Sequence, residues 1–498
     1  MSDIDWLILG IYLVVVYWIA WRCRRFIRGR FYSHGEPAYP MAVHYLAGRT
    51  LKKSEICLSI VATEVSAITF LVVPTYAFME DFSYIRFVIG TAVGRLVGSK
   101  YILPLIYNKG LTTFEILARG IHGYSDLGKS GNQGKKVAAG IYVFLKIFGV
   151  AARLAGGAVL LSQFLDVDIV PTIFIICLLT YFYLMIGGLK AVVRTDMLQG
   201  TIFVLGGILA IYVIGKASEF TSFQLAATAF TSGKFNLFGH GSLWNFALGI
   251  AAGFIMDISS HAVDQEMVQK LLGARSLGEA RQAMVYSAFW SLFINLIFLL
   301  VGASLWAFYQ THSLPVGFGS KEIFSHFLMN YFPSPFKGLI VAALLAATMS
   351  SLDSSINAMS ACLWNDIFPT DVNKLKQESF IKIDNLIMTM AVAVYACLIG
   401  QSVDLMYMAT HLATWAAAPI LGIFLVRLAF PNWIKFAYTW HVILFTYTFS
   451  LVCMSLARGA FAASEQLTIL MGVVASVIFL WPYSWIMKKE KDLYEVTP

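Results

Sequence analysis

Residues 56–79 read ICLSIVATEVSAITFLVVPTYAFM, an apolar stretch broken in its middle by Thr63-Glu64-Val65-Ser66 and again by Pro74. As a helix it is long enough to cross the ~30 Å hydrocarbon core of a bilayer. Polar side chains and an interrupted backbone at that depth are tolerated only where protein or a water-lined cavity surrounds them. A second interrupted stretch follows five spans later, where residues 243–263 carry Gly249, Gly253, Asp257, Ser259 and Ser260 in a short apolar run. Two broken helices in corresponding positions are the signature of an inverted-repeat membrane transporter, whose unwound backbone supplies carbonyls and helix ends for ions and solute.

The rest of the chain agrees. Its 498 residues are 58% apolar and only 13% charged, about half the charge that a soluble domain needs on its surface. Runs such as Trp6–Ala20, Pro171–Ile186 and Ile202–Gly215 are continuous rather than alternating, which excludes a barrel. The expected fold is an all-α polytopic membrane protein of about thirteen transmembrane helices, at roughly 6–22, 56–79, 83–107, 137–164, 167–187, 191–215, 243–263, 283–309, 336–363, 384–402, 404–426, 436–457 and 465–486. It forms one transmembrane domain over 1–498. Within it, 1–50 hold an extra first span and loop, 56–217 and 243–427 the two inverted repeats, and 435–498 two terminal spans and a tail.

The net charge of +8 is read as topology, not as affinity for nucleic acid, because the basic residues cluster at the ends of apolar runs. With the amino terminus outside and the carboxyl terminus in the cytoplasm, most of the 36 Lys and Arg fall on the cytoplasmic side of the cell's plasma membrane. Asp3 and Asp5 before the first span, with Arg22, Arg24 and Arg25 after it, reverse the charge order of a signal peptide. The six cysteines are scattered, with no CxxC spacing for a metal or redox pair.

The ninth span carries the densest chemistry, Ala347-Thr348-Met349-Ser350-Ser351-Leu352-Asp353-Ser354-Ser355-Ile356-Asn357. Helical spacing lines Ala347, Ser350, Ser351, Ser354 and Asn357 along one stripe, with Asp353 at its border. Hard oxygen ligands of this kind suit sodium. An intramembrane Asp costs about 2.5–3.5 kcal/mol on insertion scales, so Asp353 needs a partner or a task.

Four segments give the chain its resemblance to the sodium/solute symporter family of sodium-coupled sugar, proline, sialic acid and monocarboxylate carriers. They are this run, Ala62 to Pro74, Gly187 to Gln199 and Asp264 to Ser276. The resemblance implies the leucine-transporter fold and uptake of a small polar organic solute, a sugar or an organic acid such as sialic acid, by alternating access. It also implies a sodium site built from the carbonyls of Ala62, Val65 and Ala347 and the hydroxyls of Ser350 and Ser351. Some members hold a second sodium, for which this chain offers Asp196, Ser350, Asp353 and Ser354. Asp353 stands where such members have a hydroxyl; it either tightens that site or pairs with a basic residue and abolishes it. The Gln265 to Arg275 segment is expected to be an amphipathic interfacial loop with a structural or gating role and no ligand function.

For the solute, the resemblance points to the centre of the bundle. There Thr63, Ser66 and Thr69 come from the second span, Asp257 and Ser260 from the seventh and His411 from the eleventh. Arg153 and Arg86 are buried basic residues suited to a carboxylate. Arg153 serves equally well to neutralise Glu64 or Asp257, and an amino-acid-like solute stays open beside the sugar and the organic acid. An enzyme is not expected, since no nucleophile and base pair is present, nor is a channel; a solute sensor of the same fold would keep every binding residue.

Overall fold

A computed structural model describes residues 1–31, 40–65, 67–107, 109–119, 128–218, 221–239, 243–312, 323–368, 374–400, 418–426, 440–460 and 468–480. The principal helices are α1 (Asp3–Phe31), α2 (Lys53–Glu64), α3 (Ala67–Met79), α4 (Ile85–Val97), α5 (Gly128–Leu165), α6 (Ile169–Ala217), α7 (Leu243–Ala262), α8 (Gln265–Leu272), α9 (Leu277–Tyr309), α10 (Phe336–Cys362), α11 (Lys374–Ile399) and α12 (Trp440–Ala460). Among the described residues, seven helices are long and apolar enough to cross a membrane, or nine when each of two bent pairs counts as a span. α6, at 49 residues, is about 73 Å long, enough for two crossings. Its break falls at Gly188, whose φ of 52° and ψ of −154° only glycine adopts freely, and a Cβ there would lie 2.8 Å from the His44 carbonyl oxygen. The expected fifth and sixth spans meet at this point. The expected third span is α4 continued through a π turn at Gly98–Ile102, and only residues 418–426 of the expected eleventh are described.

The expected break in the second span is present. α2 and the Thr69–Met79 part of α3 meet at 61°, with Val65 leaving the helix at φ −84°, ψ 87°. The seventh span breaks elsewhere than expected. α7 runs unbroken through Gly249, Gly253, Asp257, Ser259 and Ser260, and the 59° bend to α8 lies beyond Ala262, where the Asp264 carboxylate caps α8. The glycines serve close packing instead. A Cβ on Gly253 would sit 2.0 Å from the Phe87 carbonyl oxygen and one on Gly90 2.1 Å from that of Ile250, so α4 and α7 touch backbone to backbone.

α10 is the axis of the molecule, with 94% of its most apolar window buried, and it packs against α1, α5 and α6. Asp5 ties α1 to its start, accepting from the Gly338 amide at 2.8 Å. The carboxyl-terminal end of α3 is held by Lys234, which donates to the carbonyls of Phe78 (2.8 Å) and Glu80 (2.7 Å). Behind the break, Phe70, Phe203, Phe298 and Phe324 form an aromatic cluster with centroids 4.8–5.3 Å apart. Leu7, Ile11, Val14 and Trp18 on α1 and Phe289 and Phe293 on α9 are exposed, the apolar outer surface of a membrane protein.

Candidate functional site

The site forms where the broken end of α2 meets the hydroxyl stripe of α10. Because Val65 leaves the helix, the carbonyls at the end of α2 face neighbours instead of continuing a ladder. Ser350 Oγ lies 3.2 Å from the carbonyl oxygen of Ala62 and 3.2 Å from that of Ala347. Ser351 Oγ lies 3.2 Å from the same Ala347 oxygen. Ala62, Val65, Ala347 and Ser350 also line one small cavity of about 10 Å³, the room of a single water or small ion, with Val61, Gly200, Phe203, Ile294 and Gln199. Gln199, passed over at the sequence level, is buried; its Nε2 donates to Tyr12 Oη at 3.1 Å, and its Oε1 has no hydrogen-bond partner among the described residues. An unpaired carbonyl on the wall of an ion-sized cavity fits a cation.

The second expected set is arranged differently. Asp196 Oδ2 accepts from Ser59 Oγ and from Lys270 Nζ at 3.1 Å, and Asp353 Oδ2 accepts from Tyr183 Oη. Ser354 Oγ is 3.3 Å from Thr63 Oγ1, which also accepts from Lys270. Thr63, expected to face the solute, is thus turned toward α10 and α8. Lys270 was not expected here. Its helix is no interfacial loop: all eight residues of α8 are buried, and its polar side chains find partners inside the protein. Gln265 accepts from the Thr113 amide at 2.8 Å, Gln269 donates to the Tyr45 carbonyl at 2.6 Å, and Glu266 meets Lys146 at 2.6 Å. Lys146 also pairs with Asp264 at 2.7 Å, joining α5 to the turn before α8.

At the centre of the bundle the partner of Glu64 and Asp257 is Arg95. Its Nε donates to Asp257 Oδ1 at 2.8 Å, its Nη1 to Ser287 Oγ at 3.2 Å and its Nη2 to Glu64 Oε1, so α2, α4, α7 and α9 meet in one ion network. His261 adds a ring nitrogen 3.4 Å from Asp257 Oδ1. Glu64, Asp257 and His261 offer ligand atoms within 4.8 Å of one another, but the guanidinium already donates to both carboxylates, which makes this a salt-bridge centre rather than a metal site. Arg153 is partly buried on α5, and Arg86 lies along Gly249. Thr69 and Ser260 are partly buried, whereas Ser66 and His411 lie outside the described residues.

A family model described as the sodium:solute symporter family matches residues 44–433. The sodium/sialic acid symporter SiaT of Proteus mirabilis is 28% identical over 325 residues, 62% of each chain, and the symporter NanT of Aliivibrio fischeri 25% identical over 348 residues, 67% of each. The alignment therefore spans less than two thirds of the Proteus relative. A solved structure of a Na+-coupled sialic acid symporter, substrate-bound and outward-open, superposes with a TM-score of 0.83 at 20% identity, covering 97% of this chain and 98% of that one. The fold is accordingly the leucine-transporter fold expected above.

Proposed function

Since the chain belongs to the sodium:solute symporter family, we propose that it is a sodium-coupled symporter that carries a small polar organic solute, a sugar or an organic acid such as a sialic acid, into the cell by alternating access. The observation that carries the reading is the meeting of Ala62, Val65, Ala347 and Ser350 across the broken helix, around an ion-sized cavity, with Ser351 Oγ on the same Ala347 carbonyl. Sodium bound there draws the end of α2 onto α10 and completes the solute pocket beside the break. Both names and the family description of the relatives are consistent with this coupling.

The residues 56–217 and 243–427 serve as the two repeats, with 1–50 and 435–498 as additions at either end, the amino terminus outside and the carboxyl terminus in the cytoplasm. The membrane potential then contributes about 2.3 kcal/mol per sodium per 100 mV, close to 50-fold accumulation of a neutral solute. With Glu64 and Asp257 engaged by Arg95, an amine-bearing solute loses the two carboxylates that would suit it, which favours the sugar or acid. Arg153 and Arg86 supply the guanidinium for an acid.

A thermal-shift screen of the purified protein against sugars, organic acids and amino acids, each in sodium and in choline, tests the proposal. Stabilisation by one solute class only in sodium supports it; stabilisation that ignores the cation removes the sodium role of the α10 stripe.

A further inference from the structure

We infer that Lys270 is a tethered cation: its ammonium stands at the Asp196 carboxylate, in the place that the resemblance gives to a second sodium, so the carrier moves one sodium per cycle. The inference rests on the sodium-coupled reading above and fixes its ion count.

A lysine ammonium has three N–H donors and no acceptor. Here three acceptors surround it: Asp196 Oδ2 at 3.1 Å, the Ser59 carbonyl oxygen at 3.2 Å and Thr63 Oγ1. Lys270 and Asp196 are both fully buried, the condition under which a cation persists only with a counter-charge and every N–H engaged. Ser354, the hydroxyl that a second sodium would share with Asp196, instead sits 3.3 Å from Thr63 Oγ1, the oxygen that the ammonium holds. A sodium on Asp196 and Ser354 would face a fixed positive charge at contact distance of that carboxylate.

Charge balance points the same way. Of the carboxylates Asp196 and Asp353, the first has the Lys270 ammonium at 3.1 Å. Lys270 neutralises Asp196. Asp353 Oδ2 accepts from the phenol of Tyr183 on α6. Lys270 also bridges α8 and α2 to α6, so it holds that joint whether or not sodium is present.

The test is equilibrium binding of radioactive sodium to the purified full-length chain, which needs no solute. The wild type is expected to bind one sodium without cooperativity. Lys270→Met is expected to free Asp196 and raise the count to two, and adding Asp196→Asn to it returns the count to one. Two sodium ions on the wild type overturn the inference, as does a folded Lys270→Met protein that still binds one. Should Lys270→Met fail to fold, the wild-type count decides alone. A wild-type count of zero overturns the sodium reading itself and this inference with it, so the two failures are distinguishable.

Discussion

Arg95→Met removes the one guanidinium that joins Glu64, Asp257 and Ser287, and its cost follows from burial. Arg95 and Asp257 side chains are each only 2% exposed, so the substitution leaves a carboxylate in the interior without its counter-charge. Losing one partner of a buried pair costs about 3–5 kcal/mol, and because both carboxylates share the same arginine the two losses do not add in full. Arg194→Met is the comparison: Arg194 pairs with Glu55 at 3.0 Å but is 35% exposed, and loss of such a surface pair costs at most about 1 kcal/mol. Thermal unfolding of purified proteins in one detergent reads the difference. Arg95→Met should melt far below Arg194→Met, and Glu64→Gln with Asp257→Asn in the same chain should recover most of the loss by removing the stranded charges. If Arg95→Met melts with Arg194→Met, or the triple variant is worse than the single one, the network does not hold the bundle as described.

Ser351→Ala removes one oxygen from the sodium set and should weaken sodium binding by about 1.5–3 kcal/mol, roughly 10- to 150-fold, in a sodium titration of thermal stability; an unchanged midpoint counts against the assignment. Gly253→Ala places a Cβ 2.0 Å from the Phe87 carbonyl oxygen and forces α4 from α7, with an expected loss of about 1–3 kcal/mol or more; wild-type stability would show that the two backbones do not touch. Lys146→Met cuts the tie from α5 to Asp264 and Glu266, and a cysteine introduced beside Asp264 should then react faster with a thiol reagent; equal rates would mean that the pair does not restrain that joint. Arg153→Lys should penalise carboxylate solutes more than neutral sugars, and equal losses would end its proposed role.

Much of this was legible in the sequence because it depends on local pattern. An apolar run interrupted by Thr63-Glu64-Val65-Ser66 has one reading inside a membrane, and the hydroxyl stripe of α10 does meet α2, through Ser350. What escaped depends on contacts between helices. Nothing in its spacing says that Arg95 rather than Arg153 meets Glu64 and Asp257; that follows from the close approach of α4 and α7 through Gly90 and Gly253. The α8 segment misled for a physical reason: Gln265, Gln269 and Lys270 give the same amphipathic pattern whether their partners are water or buried carbonyls and carboxylates. The same holds for the glycines of α7, which serve an unwound helix and a close helix contact equally well.

The most direct test of sodium-coupled uptake is transport itself, measured in proteoliposomes that contain only this protein and a solute chosen by the thermal-shift screen. An inward sodium gradient with the interior negative should concentrate the labelled solute above its external level, and choline in place of sodium should abolish the accumulation. Accumulation that is equal in choline, or solute binding with no entry in either cation, would contradict the account.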